Sequence, residues 1–169
     1  MKVCIVDNNT GDELKCWNPT PSQLKFMTST KKYILFSGGF GCGKSLMLTV
    51  KAIELATKYP KNYILMGRKT YPELRDTLIK EFFSVCPGKI IKNWMKSEGR
   101  VVFKNGSEII FRHLDTMAET EVRSMNLGAA FIDQAEGISK EVFYALRGRL
   151  RRENIPDEDK KILLSCNPA

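Results

Sequence analysis

The sequence predicts an α/β fold, a mainly parallel sheet flanked by helices and carrying an antiparallel β insertion. Three features predict it. Short apolar runs rich in β-forming residues alternate with helical patterns along much of the 169-residue chain. A glycine-rich run, GGFGCGKS, lies between one such strand and one such helix. Between Ile90 and His113 the alternation gives way to closely spaced strand patterns, as in a local antiparallel unit.

The elements follow in order. No strand is assigned before Tyr33. YILFS supplies the first, Tyr33–Ser37, and Ser45–Tyr59 reads as an amphipathic helix because Leu46, Val50, Ile53 and Ala56 recur at helical spacing. A strand at Tyr63–Gly67 precedes a second helix, Pro72–Val85, which opens with proline at a first helical position. The insertion contains IIKNW, RVVFK and EIIFRH, the last two joined by a turn at Asn105-Gly106. Strands at Ala129–Asp133 and Lys161–Ser165 complete the pattern, with a helix starting near Ser139 between them. The chain stops at SCNPA directly after the last strand. A buried strand needs neighbours and cover, so the sequence is expected to be the front part of a longer protein.

Size and composition bound the rest. At 43% hydrophobic content, 169 residues enclose one core, and a single domain over 1–169 is expected. The 27 basic and 19 acidic residues give a net charge of +8, which favours a polyanionic partner such as nucleic acid. The five cysteines form no C-x-x-C pair and His113 is the single histidine, so neither a zinc site nor a disulfide framework is expected. The N-terminus lacks a signal-peptide run and no stretch is long and apolar enough for a membrane span. A soluble protein in a reducing cytosol is the expectation.

Gly38 to Ser45 satisfy G-x-x-x-x-G-K-[ST] in the strand-to-helix context the motif requires, which predicts a P-loop. Gly38, Gly39, Gly41 and Gly43 let the backbone, including the amide of Cys42, wrap phosphates without obstruction by side chains. Lys44 would reach the β- and γ-phosphates, Ser45 would hold Mg²⁺, and the helix that continues through Leu46 would present its positive end to the anion. The plain alternative is a glycine-rich turn that only joins strand to helix. AAFID then places Asp133 at the C-terminal end of a buried strand, where ligands gather in open α/β sheets, to complete the metal site through a bound water. The expected fold is thus a P-loop NTPase, with a nucleotide and Mg²⁺ as cofactors.

Hydrolysis needs a group that orients water and takes its proton. The residue after Asp133 is Gln134, which can orient water but is not a base. Glu136, two residues further, is expected to be the catalytic carboxylate; otherwise it is a charge favourable to a helix N-terminus.

PSQ at 21–23, GGFGCGKS at 38–45, GRKTYPELRDT at 67–77, EVRSMNLGAAFIDQAEGIS at 121–139 and LLSCNPA at 163–169 together resemble the ATPase domain of phage large terminase subunits. The resemblance implies a P-loop NTPase of ASCE type with ATP as its nucleotide, in which Gln23 reads adenine and Ser165 and Asn167 sense the γ-phosphate. It also implies that Arg123 reaches the site of a neighbouring subunit, an effect worth roughly 10³-fold or more in related systems. Alternatively, Arg123 is a surface residue paired with Glu119 or Glu121. The implied assembly is a ring on the capsid portal that drives double-stranded DNA into a procapsid. The portal protein and a small terminase subunit would be its partners, in the cytoplasm of the bacterial host. Arg147, Arg149, Arg151 and Arg152 would contact DNA phosphates or another subunit, or form a solvated helix end. Two departures stand out: Phe40 occupies a P-loop position where many terminases have arginine, and Gln134 follows Asp133 where a glutamate is usual. The family's nuclease domain has no counterpart in these residues.

Other readings differ in testable ways. A helicase-like translocase would unwind a forked duplex, and a small-molecule kinase would phosphorylate a nucleoside or sugar. A GTPase would carry an N/T-K-x-D element, which the sequence lacks. A non-enzymatic nucleic-acid-binding module would bind no ATP.

Overall fold

The computed structural model describes residues 1–115 and 118–168; Ala169, the last residue of LLSCNPA, lies outside them. In chain order the strands are β1 (Val3–Val6), β2 (Glu13–Trp17), β3 (Tyr33–Ser37), β4 (Tyr63–Arg68) and β5 (Ile91–Met95). They continue with β6 (Arg100–Phe103), β7 (Glu108–His113), β8 (Ala129–Ile132) and β9 (Lys161–Cys166). The main helices are α1 (Pro21–Thr28), α2 (Lys44–Lys58), α3 (Tyr71–Glu73), α4 (Lys80–Val85), α5 (Ala118–Val122) and α6 (Lys140–Arg147).

Seven strands form one sheet in the order β3-β9-β8-β4-β7-β6-β5. The pairs from β3 to β7 are parallel, and β6 and β5 extend that edge antiparallel. This is the expected α/β architecture, and the four strands assigned to it from sequence are in place to within one residue at their ends. The expected turn at Asn105-Gly106 is a loop in which Gly106 takes φ 86° and donates its N–H to the Phe103 carbonyl at 3.0 Å.

Alternation along the strands sends apolar side chains to both faces. Ile64 and Met66 of β4 join one core with Leu48, Ile53, Phe82 and Phe131, under α2 and α4. Leu65 joins the other with Ile110, Ile132, Val142 and Leu146, where α5 and α6 pack. The shared sheet fixes where strand ends, and hence loops, can meet.

The helical stretch expected at Pro72–Val85 is present, but Leu74–Ile79 forms a π turn between α3 and α4. Its buried residues Leu74, Leu78 and Phe82 recur every four positions. In an α-helix that spacing drifts by roughly 40° per step, and a wider turn takes up the drift.

The N-terminal region corrects the sequence reading. β1 and β2 form an antiparallel hairpin in which Cys4 lies opposite Cys16, and the two form a disulfide. No disulfide was expected, because neither cysteine belongs to a recognisable spacing motif; the pair becomes evident only once the hairpin register is known. Among the described residues no helix is long and apolar enough to cross a membrane.

Candidate active site

The P-loop leaves β3 and enters α2. Gly41 and Gly43 take φ values of 74° and 79°, a region that L side chains rarely adopt. At Gly43 a Cβ would also lie 2.5 Å from Gln23 Nε2, so a larger residue there would have to displace the Gln23 side chain as well. Lys44 folds back into its own loop and donates from Nζ to the carbonyls of Gly38 (2.5 Å) and Gly39 (2.7 Å). These carbonyls give the buried ammonium its acceptors.

Asp133, at the tip of β8, is 2% exposed and concentrates the site's polar contacts. Its Oδ1 accepts from Ser45 Oγ at 2.9 Å and from Ser165 Oγ at 2.6 Å. Ser165 Oγ in turn accepts the Gln134 N–H at 3.2 Å. On the other side, Arg68 at the end of β4 brings Nε within 3.1 Å of Oδ2. Three stretches singled out in the sequence, the P-loop, AAFID and LLSCNPA, therefore converge on one carboxylate. Ser45 and Asp133 offer hard oxygen donors beside an open cavity, a donor set that fits Mg²⁺, which keeps most of its waters.

That cavity, about 750 Å³, is bounded by the P-loop from Phe40 through Leu46, by Asp133, Gln134 and Asn167, and by a wall from Arg68 and the Asp76–Ser84 helix. Gln134 sits in a left-handed conformation, φ 54° and ψ 59°, which turns the chain sharply off β8. Glu136 does not line this cavity. It faces an adjoining groove with Leu35, Phe143 and Tyr144, and its Oε1 accepts the Asn167 N–H at 3.5 Å. Asn167 borders both spaces.

The remaining expected residues lie further out. Gln23 belongs to a depression at the base of the P-loop, with Thr20, Phe36 and Leu46. Its Oε1 accepts from Thr20 N in a capping box and its Nε2 donates to the Cys42 carbonyl at 2.9 Å. One lone pair and one N–H remain for a base edge. Arg123 follows α5, pairs with Glu119, has a side chain 65% exposed and does not border the cavity of its own chain.

Arg68 and Glu81 are among the cavity residues to which the sequence reading gave no role. Arg68 lay inside a recognised motif, GRKTYPELRDT, and its place at a strand's C-terminal end was the available signal. Glu81 lines the wall opposite the P-loop, and burial, with the nearby Asp133 charge, pushes its carboxyl above the usual range. No spacing rule connects Glu81 to the loop.

A family model described as phage terminase large subunit matches residues 30–169. Among solved structures, the large terminase of a thermophilic bacteriophage in complex with ADP superposes with a TM-score of 0.73 at 17% identity, over 88% of this chain and 39% of that one. The large terminase ATPase domain of Thermus phage P74-26 gives 0.69 at 17% identity, over 90% and 66%. The HK97 bacteriophage large terminase gives 0.63 at 12% identity, over 98% and 35%. The chain thus spans about two fifths of the length of the ADP-bound terminase. No curated protein matches the sequence.

Proposed function

Since the chain belongs to the phage terminase large subunit family, we propose that it is the ATP-hydrolysing motor domain that drives double-stranded viral DNA into a procapsid. One observation carries the reading: Ser45 and Ser165 both donate to Asp133 Oδ1, so the phosphate loop, the metal aspartate and the sensing segment form one hydrogen-bonded unit.

The residues divide the work. The loop amides from Gly38 to Gly43 and the N-terminus of α2 through Leu46 hold the phosphates, and Gln23 meets the adenine with its free lone pair and N–H. Lys44 exchanges two carbonyl partners for phosphate oxygens, a change from neutral to charge-assisted hydrogen bonds. Ser45 and Asp133 would hold Mg²⁺, which when bound neutralises charge on the transferring phosphoryl group. Gln134 orients the water, and Glu136, which faces the adjoining groove, turns toward the cavity to take its proton. Asn167 bonds to Glu136 through its backbone, so loss of the terminal phosphate and movement of the base are felt by the same residue. Arg123 serves the adjoining subunit's site in a ring. The portal protein, a small terminase subunit and the bacterial cytoplasm are the expected partners and setting.

The test is steady-state ATP hydrolysis at high protein concentration for the native chain, Glu136→Gln, Gln134→Ala and Glu81→Gln. Glu136→Gln is expected to lower turnover by at least about 100-fold while ATP still binds, with milder effects at the other two positions. Normal turnover by Glu136→Gln together with loss in Glu81→Gln would move the base to the opposite wall. Absence of ATP hydrolysis by the native chain at every concentration and Mg²⁺ level would refute the reading itself.

A further inference from the structure

Arg68 is a buried cation in the cavity wall that the reading above leaves without a task. It stands level with Asp133, because the Asp133 N–H donates to the Gly67 carbonyl at 3.0 Å. The residue is 7% exposed. Its Nε lies 3.1 Å from Asp133 Oδ2, yet the N–H is not aimed along that line and makes no hydrogen bond among the described residues. A terminal nitrogen donates to Thr77 Oγ1 in the π turn. The guanidinium therefore sits in the cavity wall, anchored at one end and incompletely used at the other.

Two buried charges in contact tolerate each other because they are paired. Once a divalent cation takes the Asp133 carboxylate, that pairing fails for Arg68: its anion is neutralised and a second cation stands beside it. A buried guanidinium without an anion must find another, and the anion that arrives with the metal is the phosphate chain. The loop leaves room for such a partner, since position 40, within the P-loop, is Phe40, an apolar side chain 90% exposed. A planar fork of five donors also suits phosphate oxygens better than a point charge does.

We infer that Arg68 is a cis ligand of the nucleotide's terminal phosphate, resting on Asp133 while the metal site is empty. The inference rests on the ATPase reading and adds a phosphate contact from β4. It also gives the π turn a link to the nucleotide, through Thr77.

Equilibrium binding of ADP and ATPγS in the presence of Mg²⁺ tests it, using the native chain, Arg68→Gln and Arg68→Lys, with circular dichroism to check folding. Arg68→Gln is expected to weaken ATPγS binding about tenfold or more and ADP binding less than about threefold. Arg68→Lys, which keeps the charge and loses the fork, should fall between the native chain and Arg68→Gln. Equal weakening of both nucleotides, or none, overturns the inference. If Arg68→Gln does not fold, Arg68→Lys decides alone: an ATPγS-to-ADP affinity ratio equal to the native one overturns it. A native chain that binds neither nucleotide overturns the ATPase reading and this inference together, whereas native binding of both with an unchanged ratio overturns the inference alone.

Discussion

Cys42 and Cys86 differ in what surrounds the sulfur. Cys86 is buried and its thiol is pushed up to about 12, so at pH 8 roughly one molecule in ten thousand carries the thiolate. Cys42 is exposed in the P-loop, 3.6 Å from Lys44 Nζ. Alkylation at pH 8 followed by peptide mass mapping should therefore label Cys42 and spare Cys86, and bound ATPγS should protect Cys42. Labelling of Cys42 that is indifferent to saturating nucleotide would count against phosphates lying in this loop. At this scale legibility depends on spacing. Lys44, Ser45 and Asp133 were readable because a strand-loop-helix motif and a strand tip fix where such side chains point. Arg68 and Glu81 reach the same cavity from other elements, and no local pattern encodes that approach. Glu136 illustrates the limit from the other side: it is close in sequence to Asp133, yet the left-handed turn at Gln134 leads the chain into the neighbouring groove.

Elements carry a different kind of constraint. The π turn holds one residue more than an α turn, so deleting one residue among 75–77 should return the segment to α geometry and leave Phe82 and Val85 facing the core. The same deletion in the middle of α2 would swing every later side chain by about 100°. Thermal unfolding of the two deletion variants should show a mild loss for the first and failure to fold for the second. At the opposite end of the sheet, Gly128 lies against Asn62, whose side chain donates to Leu55 O and accepts from Tyr63 N. A Cβ at Gly128 would come within 1.8 Å of Asn62 Oδ1. Gly128→Ala should accordingly cost about 2 kcal/mol or more in a denaturant titration, because a buried amide and the strands it joins must move. Elements with strong apolar periodicity were readable from sequence. The β1–β2 hairpin was not, since VCIV and ELKCW are only four and five residues long and lie outside the main sheet. Its disulfide joins residues that only the folded register brings together.

For the whole molecule, Arg123 sets the question of assembly. It is exposed and remote from its own cavity, so its proposed task requires a second copy. ATPase activity per chain should rise with protein concentration in the native protein and stay low and flat in Arg123→Ala; a native rate independent of concentration would remove the trans role. The fold was legible at this scale because parallel strands alternating with helices leave few arrangements. The order of strands was not, and that order has a consequence for synthesis. Among the described residues β3 has a single sheet neighbour, β9, and their paired residues lie about 130 positions apart in the chain. At roughly 5–20 residues per second, the ribosome needs about 6 to 26 s to supply that neighbour. Throughout that interval YILFS is an apolar segment with open edges, a target for wrong partners and for chaperones. The strand that launches the phosphate loop is thus among the first made and the last to be secured.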